Sequence, residues 1–314
     1  MLSKRQEAEL VTAIQGRGEI PLKFAYLGKG ASNWDKIANQ RTEDGGINSA
    51  EATLLKKRIE DFVSTLSTDK GINIIDIGCG NGLPVLPILQ YLVDKKIKFT
   101  YVPLDISLEM QNLAIATITK EFPGTESKPF QLDFELGQFS DIMYDLKKNG
   151  SVNLMLFLGS TLGNHSDLGR VLTNFRDSMT SKDYMIVGVE LTNLVKAQNI
   201  VNHYQGESIE NFVFFTLDYL NVSRKDYKLN VTWNAQENQI EMRALVQKDI
   251  NLEIAEEKFT LKKGENILLA RSKKFSESIV TKLFSEVGFR TELLTTGEDR
   301  GYLLTMVQPT RYSI

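Results

Sequence analysis

The stretch Ile74-Ile75-Asp76-Ile77-Gly78-Cys79-Gly80-Asn81-Gly82 constrains the fold more than any other. Its short apolar, β-branched run reads as a buried strand. The run ends in an acid and three alternating glycines. Leu83, Val85, Leu86, Ile88, Leu89 and Leu92 then suit a buried helix. Strand, glycine loop and helix N-terminus together form a cradle. Glycine lets backbone pass close to a ligand, and the unpaired amides of the first helical turn face it. An ordinary turn between a strand and a helix is the competing explanation.

Spacing narrows the ligand. Gly78, Gly80 and Gly82 make G-x-G-x-G, not the G-x-G-x-x-G of dinucleotide folds, and no G-x-x-x-x-G-K-[ST] occurs. Asp76 sets a carboxylate where a pyrophosphate would be repelled and a cationic ammonium welcomed. S-adenosylmethionine (SAM) carries such an ammonium. A NAD-dependent oxidoreductase is the rival, and both the spacing and Asp76 stand against it.

With 42% hydrophobic and 25% charged residues, the 314-residue chain suits a soluble globular protein. A net charge of −3 disfavours a nucleic-acid partner. The first residues lack the apolar core of a signal peptide, and no apolar run reaches the length of a membrane span. Cys79 is the single cysteine, so an internal disulfide is excluded. A cytoplasmic protein is expected. His165 and His203 have no cysteine near them, which speaks against zinc. The absence of G-x-S-x-G speaks against a serine hydrolase.

An amphipathic segment with Leu10, Val11 and Ile14 opens the chain. From Pro21 to Trp34, aromatics beside Gly28 and Gly30 suggest a folded-over loop, either a lid or a wall of the substrate site. A helix starts near Asn48, where Asn48 and Glu51 fit a capping box, and Leu55, Ile59, Phe62 and Leu66 recur at helical spacing. The strand Phe99 to Asp105 ends in an acid, placed where a ribose diol would lie or where a helix needs a cap. The third strand, Pro129 to Glu135, carries Asp133 and Phe134, suited to an adenine amino group and ring, or to a surface turn. Val152 to Leu158 is a central strand. It runs into Gly159-Ser160-Thr161-Leu162-Gly163-Asn164-His165, outside the carboxyl end of the sheet, where ligands bind. Leu168, Val171, Leu172, Phe175 and Met179 mark a helix, and a fifth strand, Tyr184 to Leu191, reaches Glu190.

From Thr192 the pattern changes. Helical stretches run to about Leu220, with aromatics at Phe212, Phe214, Phe215 and Tyr219. Val231 and Trp233 then face Ile240, Met242 and Ala244 across the turn Gln236-Glu237-Asn238, and Ile250, Leu252 and Ile254 alternate. This is an inserted α+β lobe. A helix capped by Ser276, with Ile279, Leu283 and Val287 as its apolar residues, is closed by Gly288. Strands Phe289 to Thr296 and Tyr302 to Val307, split by the turn 297–301, finish the chain. Asp76-x-Gly78-x-Gly80-x-Gly82, Asp105 and Asp133-Phe134, in this order, resemble a class I SAM-dependent methyltransferase; the resemblance implies an α/β, Rossmann-like core over 48–194 and 275–314, with an inserted α+β substrate-binding lobe over 1–47 and 195–274.

Gly159-Ser160-Thr161-Leu162-Gly163-Asn164 resembles the G-S-T-[IL]-G-N loop of the EgtD-like α-N-methyltransferases, typified by the histidine-trimethylating enzyme of ergothioneine synthesis. Val102 to Ser107, Ile240-Glu241-Met242-Arg243 and Ser272-Lys273-Lys274-Phe275 are similar to segments of that family too. The likeness runs from about Phe24 to the C-terminus. It implies SAM as cofactor, S-adenosylhomocysteine as product and a small amino acid as substrate, with no metal. It implies that Asp76, Gly78, Gly80, Gly82, Asp105, Ile106, Asp133, Phe134 and Gly159 surround the cofactor. Asn164 matches the asparagine that holds the substrate's amino and carboxylate groups, and Thr161 shares its loop. Tyr204 matches a carboxylate-gripping tyrosine, Tyr26 a tyrosine near the amine, and Ser272 a serine at the side-chain end of the pocket. Asn164, Tyr26 and Tyr204 are the catalytic candidates.

Two departures bear on the substrate. Histidine enzymes of the family carry a glutamate two residues before that serine, paired to the imidazole; here the position is Ala270. Their Tyr-Pro-Thr-Arg segment is replaced near Gly46-Ile47-Asn48-Ser49. Leaving an imidazole nitrogen unpaired in a buried pocket costs about 1–3 kcal/mol. Fungal dimethylallyltryptophan N-methyltransferases belong to the family and accept indoles. We expect a tryptophan-like or tyrosine-like acceptor, with histidine, another small-molecule N-methylation, or a degenerate SAM-binding module as alternatives.

Overall fold

A computed structural model describes residues 2–43, 47–192, 201–298 and 301–310, with backbone alone at 41–43 and 47–49. The chain forms two compact units, Met1–Ile37 with Asn193–Lys273, and Ala38–Thr192 with Lys274–Ile314. Among the described residues no helix is long and apolar enough to cross a membrane.

Five parallel strands build the second unit's sheet: β1 (Ile72–Ile77), β2 (Phe99–Asp105), β3 (Phe130–Gln131), β4 (Val152–Phe157) and β5 (Tyr184–Glu190). The strands β6 (Tyr227–Asn234), β7 (Gln239–Val246), β8 (Ile250–Ile254), β9 (Glu257–Leu261) and β10 (Asn266–Lys273) belong to the first unit. Two more, β11 (Phe289–Thr296) and β12 (Tyr302–Pro309), complete the sheet in the order β11-β12-β5-β4-β1-β2-β3. The last inserted strand, β12, runs antiparallel to both of its neighbours.

Burial follows from β-strand alternation. Ile75 and Ile77 of β1 join Val102, Leu104, Met155 and Phe157 on one face. Ile72 and Ile74 join Tyr101, Leu154 and Leu156 on the other. All six residues of β1 are buried, as a parallel sheet covered on both faces requires. The helix Ile47–Ser64 buries Leu55, Ile59 and Phe62 as its spacing predicts.

Several elements differ from expectation. The third strand is two residues long, because the chain turns at Phe134–Leu136 instead of extending to Glu135. The helix after the glycine loop starts at Leu86, not Leu83; residues 83–85 form turns, with Pro87 in the first helical turn. On the helix Glu277–Glu286, capped by Ser276 as expected, Val280 and Phe284 are buried while Ile279 is exposed. Residues 21–34 are not one loop. A 3-10 turn spans Leu22–Tyr26 and a helix spans Gly30–Glu43. Gly30 is needed there because a Cβ would lie 2.0 Å from the Ala25 carbonyl oxygen.

In the first unit, β10-β7-β6 form a sheet and β8-β9 a ribbon. Val231 pairs with Met242 and Trp233 with Ile240, as the alternation predicts. The helices Glu207–Val213 and Phe215–Tyr219 carry the aromatic patch. The part of the predicted helical stretch at 193–200 lies outside the described residues.

Candidate active site

The second unit gathers one set of candidate residues at the carboxyl ends of its strands. Gly78, Gly80 and Gly82 all take positive φ, at 63°, 52° and 75°, a region costly to residues with a Cβ. A Cβ on Gly78 would meet Thr161 Cγ2 at 3.7 Å and Phe134 Cε1 at 3.9 Å. Three expected cofactor or substrate positions thus lie within ordinary contact of one another, and the positive φ is what calls for glycine at 78. Gly82 does something else. Its Cβ would press on Ala114 at 3.1–3.3 Å, so glycine there seats the loop on the helix Leu108–Glu121.

The acids are held in place. Asp76 is buried and accepts the Tyr101 hydroxyl at 2.8 Å. Asp105 is buried and accepts the Ser107 amide at 2.9 Å, with the Gly80 and Ile106 amides also bonding it. Ser107 caps the following helix through its own side chain, onto the Met110 amide. Asp105 therefore joins the glycine loop to the turn at Ile106, a task beyond capping. Burial raises the Asp76 carboxyl to about 7, with the charges of Asp105 and Glu51 adding to it. Burial likewise raises Asp105 to about 6. A cationic ligand in the loop would offset this repulsion. Phe134 packs edge-on against Phe157 at 5.7 Å, and the Asp133 carboxylate accepts the Glu135 amide. The residues present thus fit SAM.

The loop after β4 is strongly constrained. Gly159 and Ser160 both take positive φ, at 69° and 58°, and Thr161–Asn164 forms a 3-10 turn. Thr161 Oγ1 donates to the Leu158 carbonyl at 2.7 Å. Glu51, expected as half of a capping box, points elsewhere: it is fully buried and accepts the Gly159 amide on both oxygens. Its intended partner Asn48, with Gly46-Ile47-Asn48-Ser49 as a whole, lies outside the described side chains. Glu190 is ion-paired to the buried Lys274. His165 Nδ1 lies 3.0 Å from Glu135.

The first unit gathers a second set. Tyr204 and Ser272 are both buried and share a hydrogen bond of 2.9 Å. Ala270 lies two residues earlier on β10, buried in the same apolar cluster as Tyr204. Tyr26 packs with Phe212 at 5.0 Å and Trp34 at 5.5 Å, and these two rings pack on each other at 5.3 Å. Trp34 and Phe212 belong to no motif; the aromatic clustering of 21–34 and 212–219 in the sequence is what signals their packing.

Sheet order, glycine loop and strand-end acids define a class I SAM-dependent methyltransferase. Residues 6–309 match the family of histidine-specific, SAM-dependent methyltransferases, and the chain belongs to that family. The histidine N-alpha-methyltransferase of Mycolicibacterium smegmatis is 25% identical over 86% of this chain and 84% of that one. An N-methyltransferase of Aspergillus flavus is 22% identical over 90% and 79%. The 4-dimethylallyltryptophan N-methyltransferase of Aspergillus fumigatus is 22% identical over 89% and 86%. Superposition on magnesium protoporphyrin IX methyltransferase of Synechocystis PCC 6803 gives a TM-score of 0.49 at 10% identity, over 92% of this chain and 98% of that one.

Proposed function

We propose that this enzyme methylates the α-amino group of a free amino acid, in the cytoplasm, and that the acceptor is aromatic and not histidine. SAM, when bound, supplies a methyl group already activated by its sulfonium. The protein's task is then alignment, which can lower a barrier by about 7–11 kcal/mol at best. Asp76, Gly78, Gly80, Asp105, Ile106, Asp133, Phe134 and Gly159 would hold the cofactor, with Gly82 seating the loop.

Asn164 accepts a hydrogen from the acceptor's neutral amine and aims its lone pair; Thr161 supports it within the same turn. Tyr204 grips the carboxylate. A tyrosine, Tyr26 or Tyr204, relays the departing proton through water. Ser272 and Ala270 meet the side chain. The observation that carries the choice of acceptor is Ala270. A methyl group stands in the same buried apolar cluster as Tyr204, two residues before the serine that Tyr204 bonds. Nothing at that position pairs with an imidazole, whereas an aromatic ring loses no hydrogen bond there.

Incubation with SAM and each of the twenty amino acids, followed by mass spectrometry with fragmentation, tests this. The expected product is an aromatic amino acid heavier by one or more methyl groups, with the added mass on the α-nitrogen. Methylation of histidine alone, or of a side-chain atom, contradicts the proposal.

A further inference from the structure

Glu51 lies on the helix Ile47–Ser64, far in sequence from the loop at 159–164. Yet its buried carboxylate accepts the Gly159 amide on both oxygens, each at 3.0 Å. It also accepts the Tyr302 hydroxyl at 2.5 Å. The same Tyr302 oxygen accepts the Ser160 amide at 3.1 Å. Two consecutive backbone amides are therefore caught by one carboxylate–phenol pair drawn from a helix and from β12. These are the two residues with positive φ, a conformation that disfavours Ser160. A third tie comes from the loop itself: Ser160 Oγ accepts the Glu190 amide at 2.9 Å.

The sheet leaves room for this arrangement. A Cβ on Gly188 of β5 would lie 2.1 Å from Glu51 Oε1 and 2.6 Å from the Tyr302 hydroxyl. Glycine at 188 therefore lets the carboxylate and the phenol cross the strand. A carboxylate fully removed from water is costly unless it is bonded. Simple stability would favour an apolar residue at this place, so the pair calls for another explanation.

We propose that Glu51 and Tyr302 are positioning residues of methyl transfer. They hold Gly159–Ser160 in the one backbone geometry that presents Thr161 and Asn164 to the reacting groups. This rests on the assignment of Thr161 and Asn164 to the acceptor. Neither Glu51 nor Tyr302 touches the reacting atoms; both act through the backbone of the loop.

The test uses the full chain as Glu51→Gln, Tyr302→Phe and Gly188→Ala, the last displacing both side chains without altering either. S-adenosylhomocysteine titration counts folded, cofactor-competent sites, and kcat is expressed per such site. Hydrogen–deuterium exchange is followed in residues 158–165, with β1 as the internal reference. In all three variants, exchange in 158–165 should rise about tenfold, the loss expected for a hydrogen bond to a charged group. Exchange in β1 should stay unchanged, and kcat per S-adenosylhomocysteine-binding site should fall about tenfold. Unchanged exchange in the loop, an equal rise throughout the protein, or a faster-exchanging loop with unchanged kcat per site would each overturn the proposal. If wild-type protein methylates no amino acid, the substrate assignment fails, and the exchange result alone decides whether Glu51 and Tyr302 set the loop.

Discussion

The two units hold their candidate residues in different ways. In the second unit, Asp76, Asp105 and Glu51 are fastened to neighbouring backbone or hydroxyl groups at strand ends, and glycines clear the space beside them. In the first, Tyr26, Tyr204 and Ala270 come from three segments and share one apolar cluster, and Tyr204 is hydrogen-bonded to Ser272 of the same strand as Ala270. The first arrangement suits a ligand that never changes. The second is open to substitution, since replacing one apolar side chain by another strands no buried polar partner. On the proposed assignment the cofactor would meet groups fastened in place, whereas acceptor choice would rest on a few side chains.

This contrast breaks most visibly at Asn164. Asn164→Ala should lower kcat by about 100-fold or more through lost alignment, with S-adenosylhomocysteine affinity nearly unchanged by calorimetry. Equal loss of both would place Asn164 with the cofactor set. Asp105→Ala should do the reverse. It removes an acceptor of several backbone amides, and S-adenosylhomocysteine affinity should weaken about 10- to 100-fold. Calorimetry showing unchanged binding would separate Asp105 from the cofactor. In the first unit, Ala270→Glu should raise kcat/KM for histidine about tenfold relative to an aromatic amino acid and leave cofactor affinity alone. A specificity ratio that does not move would remove Ala270 from acceptor choice.

The smallest effect concerns pH. Burial raises Glu51 and Asp76 to about 7 and Asp105 to about 6 in the folded protein, above the ordinary carboxyl range. Between roughly pH 4 and 7 the folded state therefore binds more protons than the unfolded one. Stability falls as pH rises through that window. The cofactor-free protein should melt several degrees lower at pH 8 than at pH 5, and Asp76→Asn should shrink the difference. A melting temperature that climbs steadily across this range would contradict carboxyls raised by burial.

Much of the second unit was legible because its demands are local. Alternating glycines, an acid two residues before them and an apolar run fit few folds, and the positive φ at Gly78 and Gly80 bears out their special backbone. Strand pairing across Gln236–Asn238 was legible for the same reason, as alternation fixes register. Long-range partners were not. Glu51 finds Gly159 at a separation of 108 residues and Tyr302 at 251, so local spacing could suggest only a cap. Gly30 looked like a loop glycine, but its requirement comes from the Ala25 carbonyl. Tyr204, Ser272 and Ala270 stood out through family resemblance and not through any pattern of their own.

The central claim is that a cofactor site held by backbone serves an acceptor site that has given up its imidazole partner. A one-pot competition measures it most directly, with SAM limiting and histidine, tyrosine and tryptophan at equal concentration. The account predicts methylated tyrosine or tryptophan in at least about tenfold excess over methylated histidine. A product mixture dominated by methylated histidine would contradict it.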